Sequence, residues 1–235
     1  MWQELRTELH PAGLEIVTVA LDTGGADAVR PHLERAAPAH PSLIDAAHRL
    51  DELLGIVNVP SAVWIDEEGT IVRGPETAYT GPSPSGVGYR PPQELPPDAS
   101  PRAREAFDLV KRLRAPKHYP DAIRDWVKNG PDSRYALGPQ EVIARSRPRP
   151  KEVAEAAAAF ELGQRLWRAG HGDDAVKWFR RAHELQPENW TYKRQAWTFA
   201  DPRQHATDLY EGDWLSDVKK VGPENYYDPV PDMDD

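Results

Sequence analysis

Cysteine is absent from these 235 residues. That excludes disulfide staples, zinc–thiolate sites and any cysteine nucleophile. Long apolar runs are missing too, since none approaches the ~20 residues that a membrane helix needs. Positive charge is scarce. There are 29 Lys+Arg against 38 Asp+Glu, a formal net charge of -9. Nucleic acid is therefore not expected as a partner, because phosphate binding needs a net basic face. The opening Met1-Trp2-Gln3-Glu4-Leu5-Arg6 lacks the basic start and apolar stretch of a secretory signal, so the cytoplasm is the expected compartment. Metal ligands are thinly spread. His32, His40 and His48 are eight apart, and neither H-E-x-x-H nor His-x-His occurs, so no metal and no cofactor are expected. Asp66-Glu67-Glu68 reads as a solvated turn, and Asp232, Asp234 and Asp235 as a flexible acidic tail. Gly24-Gly25 follows a strand signal without the rest of a phosphate loop, and no Gly-x-Ser-x-Gly is present. Asn189-Trp190-Thr191 is a formal glycosylation sequon with no sign of secretion around it.

What is present is an ordered series of elements. Trp2, Leu5 and Leu9 fall at helical spacing. Residues 14–21 form a β-branched run that predicts a buried strand. A helix is expected over 26–37, a short extended piece over 41–45, and a helix over 46–54 ended by Gly55. Residues 61–65 predict a strand, 66–69 a turn and 70–73 the return strand of a hairpin. A βαβ unit followed by a hairpin implies a mixed sheet covered by helices, so residues 1–74 are expected to be an α/β domain. Residues 75–100 carry seven prolines, among them Pro82, Pro84, Pro91 and Pro92, and predict a linker or wrapping loop. Residues 101–221 predict an all-α region, with helices near 102–114, 121–128, 152–169, 173–185 and 190–199. Residues 222–235 form an acidic tail, expected to be extended and laid across the surface by Tyr226 and Tyr227.

The stretch Asn58-Val59-Pro60-Ser61-Ala62-Val63-Trp64-Ile65-Asp66-Glu67-Glu68-Gly69-Thr70-Ile71-Val72 resembles the V-x-x-x-P-x-x-x-[ILV]-D-x-x-G-x-[IV] segment of the thioredoxin-like redoxins. These include the ResA-like thiol-disulfide reductases and the related peroxide reductases. The Val17–Asp22 run is similar to their second strand, and the resemblance covers about a third of the chain. It implies a thioredoxin-like fold in which Pro60 is a cis-proline and Val59 offers its N–H and C=O to an extended substrate chain. The departure is at the front. In these redoxins a first strand, central in the sheet, precedes a C-x-x-C or a single peroxidatic Cys. Here Met1 falls beyond that position, so the resemblance implies two strands left with unpaired backbone groups. Two accounts are open. The favoured one is a truncated or internally initiated product whose full form carries Cys or selenocysteine upstream. The other is a degenerate relative whose gap is filled by its own C-terminal region or a second copy. As it stands, the chain is expected to be redox-inactive.

In the second half, Leu162, Gly163 and Leu166, then Ala175, Phe179, Ala182 and Pro187, are similar to the tetratricopeptide pattern, with the hairpin at about 156–200. Gly163 is expected to let the paired helix approach Ala175 and Ala182, and Leu162→Asp is expected to unfold the helical half. Such hairpins can bind a protein or peptide, which gives a second functional class: a non-catalytic interaction module.

Overall fold

The computed structural model describes residues 2–79, 94–113, 118–146, 148–201, 207–230 and 232–233. Most of the expected Pro/Gly-rich segment, together with Asp234 and Asp235, lies outside them.

The chain opens with α1 (Trp2–Leu9), closed by a 3-10 turn at His10–Ala12. Strand β1 (Thr18–Leu21), helix α2 (Gly25–Ala36) and strand β2 (Ser42–Asp45) make a βαβ unit. Then come α3 (Arg49–Leu54), β3 (Ser61–Ile65) and β4 (Ile71–Thr77). Gly55 ends α3 at φ 71°, a left-handed conformation that glycine adopts without Cβ strain. The molecule is thus mixed α/β in its first third. The strands do not form the expected single mixed sheet. β1 and β2 pair in parallel, β3 and β4 pair antiparallel, and among the described residues the two pairs remain separate sheets.

Two strand limits are corrected. β1 begins at Thr18 rather than residue 14, because its partner begins only at Ser42. Upstream, the Leu14 N–H is spent on the Leu9 carbonyl and the Ile16 N–H on the Glu15 carboxylate. β1 is also half-buried rather than buried. β4 runs on through Gly74 and Pro75 to Thr77, into the stretch expected to be linker. A register shift makes this possible. Ala62 faces Glu76 while Trp64 faces Arg73, so the glycine and proline fall in a bulge where no ladder hydrogen bond is required of Pro75.

The remainder is helical: α4 (Pro101–Val110), α5 (Tyr119–Asn129), α6 (Pro139–Arg145), α7 (Lys151–Arg168), α8 (Gly172–Leu185), α9 (Trp190–Ala200), α10 (Thr207–Tyr210) and α11 (Trp214–Val221). α6, α10 and α11 are not anticipated by the sequence reading. α11 has clear start signals in retrospect, since Asp213 and Ser216 form a reciprocal capping box.

Two apolar cores result, and they do not follow chain order. The first gathers Leu5, Leu9 and Trp64 with Tyr119, Ala122 and Ile123 of α5 and with Val230 and Met233. The second lies among α4, α7, α8, α9 and α11 around Phe160, Phe179 and Trp197. α5 therefore belongs with the α/β part, joined by the Trp64 indole N–H donating to the Tyr119 hydroxyl at 2.8 Å. The tail is no loose acidic strand either. Tyr226, Val230 and Met233 are buried, because its apolar residues fill space in both cores.

Candidate functional site

The Val59–Pro60 peptide bond is cis. Val59 is half-buried and Pro60 exposed, at the entrance to β3. The four carbonyls of this loop are all engaged, but by very different partners. The Val57 oxygen accepts from the Trp190 and Thr191 N–H groups at the start of α9, at 2.6 and 3.3 Å. Asn58 accepts from the Ser61 hydroxyl at 2.7 Å, and Pro60 from the Ala78 N–H at 3.1 Å. Among the described residues Val59 accepts only from the Tyr227 hydroxyl, at 3.4 Å, while its own N–H donates to the neighbouring Asn58 side chain at 2.9 Å. Three of the four are tied to regular structure or a tight turn. Val59 is held by two side chains.

Beside this loop is a cleft of about 90 Å³ lined by residues 55–58, Ser61, residues 75–77, Glu188, Trp190, Asn225, Tyr226 and Asp228. β4 forms one wall and the start of α9 another, so the cleft sits where the α/β part meets the helices. Its acidic side chains are partly spoken for. Glu76 accepts from the buried Arg73 guanidinium at 2.5 Å, yet burial holds its carboxyl above the usual range. Arg73 also reaches Asp232 at 3.2 Å and the Tyr135 carbonyl at 2.9 Å.

The same junction holds a buried polar cluster. His48 Nδ1 lies 2.9 Å from Asp51 Oδ2, and His48 Nε2 lies 3.2 Å from Gln195 Oε1. That amide oxygen also accepts the Thr23 N–H at 2.9 Å, which fixes the amide orientation. Both imidazole nitrogens thus face acceptors, an arrangement that favours the doubly protonated ring beside Asp51. Burial pushes the His48 pKa down, but hydrogen bonds and charge from Asp51, with help from Gln195, outweigh it and the net direction is up. The Thr191 hydroxyl donates to the same Asp51 oxygen at 2.9 Å, and Gln164 of α7 donates to the Thr23 hydroxyl. His48 is therefore part of a structural ion pair between the two parts of the molecule. Among the described residues no group of His, Asp or Glu is placed to hold a metal ion. Asn189, the sequon asparagine, is buried with its side chain capping α9.

In the helical hairpin, Gly163, Ala175, Phe179 and Ala182 are buried at the α7–α8 seam, and Leu166 packs against that core. A Cβ on Gly163 would stand 2.6 Å from the Phe179 ring, so the glycine makes room for that ring first of all. Leu162 is only half-buried and lies outside the core, while Phe160, two residues earlier, is central to it. Leu162→Asp is accordingly expected to cost about 1–2 kcal/mol in urea unfolding, without loss of the helical half. Pro187 is exposed between α8 and α9 and packs in no seam.

The sequence points to Val59 and Pro60, and to Tyr227 as an anchor of the tail, but does not connect Asn58 or Tyr227 with Val59, or Trp190 with the adjoining Val57 carbonyl. The one signal for Trp190 and Tyr227 was aromatic residues placed where a surface chain would not need them. No protein-family model matches this chain, and comparison with curated proteins and with solved structures returns no match. Among the described residues no helix is long and apolar enough to cross a membrane.

Proposed function

We propose that this chain is a thioredoxin-like, redoxin-lineage protein without redox activity of its own, and that it binds an extended polypeptide at the Val59 edge. One observation carries the reading: Val59 has both its N–H and its C=O held by side chains, while the loop carbonyls around it are locked to α9, β4 or a tight turn. An incoming strand can exchange for side-chain partners at little cost, and its own backbone supplies the matching donor and acceptor. The hairpin is the weaker binding candidate. Its seam is filled by Phe160 and Phe179 and covered by α9, whose Tyr192 stacks on Phe160 at 4.1 Å.

Two measurements test this. Dithiothreitol-driven insulin reduction should run at the uncatalysed rate with the chain present, since no thiolate is available for exchange. Reduced and carboxymethylated lactalbumin, an unfoldable polypeptide, should bind saturably and shift the Val59 and Ser61 amide resonances. Shifts confined to α7 and α8 would instead favour the helical hairpin as the binding element.

A further inference from the structure

The cleft beside Val59 is lined by charge of one sign. Glu76, Glu188 and Asp228 lie on it, and no Lys, Arg or His does. Glu188 is exposed in the turn between α8 and α9 and forms no ion pair among the described residues. Behind Glu76, the buried Arg73 is divided between Glu76 and Asp232, so one cation serves two carboxylates. Hydrogen-bonding capacity points the same way. Ser61 and Thr77 donate their hydroxyl protons to the Asn58 and Asp228 carbonyls, at 2.7 and 3.4 Å, which leaves both oxygens as acceptors. Tyr226 also lines the cleft. It is 3 % exposed, and its hydroxyl has no hydrogen-bond partner among the described residues. A buried hydroxyl without a partner is costly, and a bound donor can satisfy it.

Size narrows the class of ligand. About 90 Å³ holds one small charged group, whereas a drug-sized molecule takes roughly 300–1,000 Å³. Among the described residues no acids or histidines are grouped to hold a metal ion. Carboxylates and acceptors without a fixed cation favour an ammonium or a guanidinium. Trp190 and Tyr226, with ring centroids 4.7 Å apart, offer an apolar wall to a methylene stem. We propose that this cleft is a specificity pocket for one basic side chain, lysine or arginine, of the extended polypeptide that adds at Val59. This rests on the polypeptide-binding reading above. Val57, Asn58 and Ser61 belong to both the Val59 loop and the cleft lining, so a strand paired at Val59 passes the mouth of the cleft.

The full-length chain suffices for the test. Two labelled peptides of alternating Thr and Val are compared, one with a single central Lys and the other with Gln in its place. The wild type should bind the Lys peptide about tenfold more tightly. Glu188→Gln, on an exposed turn where folding is not at stake, should reduce that preference about threefold, the scale of one exposed ion pair, and Glu188→Lys should abolish it. Free butylammonium separates a side-chain pocket from a site for small amines. It should displace the Lys peptide only at a large excess, because it lacks the backbone pairing at Val59. Equal affinity of the wild type for the two peptides overturns the pocket and leaves the polypeptide-binding reading standing. A Lys preference that survives Glu188→Lys intact overturns its assignment to this cleft. Displacement by butylammonium at concentrations equal to the peptide also overturns the proposal, since the cleft would then serve free amines. If neither peptide nor carboxymethylated lactalbumin binds, the binding reading falls and the pocket with it.

Discussion

Asp51→Ala is expected to lower stability by about 3–5 kcal/mol, the cost of breaking a buried ion pair by removing one partner. Asp51 is 2 % exposed and His48 3 %, so water cannot take the place of the lost carboxylate. The substitution orphans the His48 Nδ1–H and removes the carboxylate oxygen that the Thr191 hydroxyl shares. Reversible urea unfolding at pH 6 measures the effect, and a change below about 1 kcal/mol would remove the pair from the account of the junction. The pair also sets a pH dependence. The folded-state pKa of His48 is raised above the ordinary value of about 6.5. Its contribution is therefore fully present below that ordinary value and is lost as pH rises through the higher folded one. Besides Asp51, Asp45 favours the charged ring, whereas α7 and α9 offer it the Phe160 ring edge and the neutral Thr191 and Gln195. Wild-type stability should thus decline as pH rises above neutrality, and His48→Gln should flatten that decline. A wild-type profile already flat across this window would mean that the ring is neutral.

Phe179→Ala should cost about 3–5 kcal/mol, the range for truncating a large buried aromatic. Phe179 is 0 % exposed, and its centroid lies 5.5 Å from Phe160 and 5.8 Å from Phe199, so the vacated space is walled by rings that cannot all move in. A second substitution separates packing from helix propensity. Alanine at Gly163 improves helix propensity by about 1 kcal/mol but meets the Phe179 ring at 2.6 Å. Gly163→Ala should therefore destabilise the wild type and stabilise the Phe179→Ala chain. A double-mutant cycle on chemical unfolding reads this change of sign directly. The same sign in both backgrounds would show that the glycine answers to backbone geometry rather than to the ring.

Local patterns made much of the secondary structure legible. Hydrophobic spacing placed α1, and the Asp66–Gly69 turn placed the β3–β4 hairpin, because both signals are carried by residues a few positions apart. The seam was legible through Gly163 and Ala182, whose small size means the same in any paired helix. Leu162 misled because it lies on nearly the opposite face of α7 from Phe160, and only the partner helices decide which face is covered. β4 was cut short because Pro75 reads as a strand breaker unless a bulge excuses it from the ladder. The tail was legible in part: Tyr226 marks an anchor, but the acids dominate its composition and hide the packing of Val230 and Met233. The His48 cluster was invisible for a different reason. Its members are separated by up to 172 residues, and each alone looks like an ordinary polar residue. The one trace was the pair Thr191 and Gln195, four apart on a helix face where apolar residues would suffice.

The reach of the tail into the first core has a consequence for synthesis. Leu5 and Leu9 leave the ribosome well before Val230 and Met233, which close over the same apolar cluster and emerge more than two hundred residues later. At about 5–20 residues per second the interval is on the order of ten to fifty seconds. Throughout it Trp64 and its neighbours stay incompletely covered, so a nascent chain released before Val230 should leave this apolar cluster exposed.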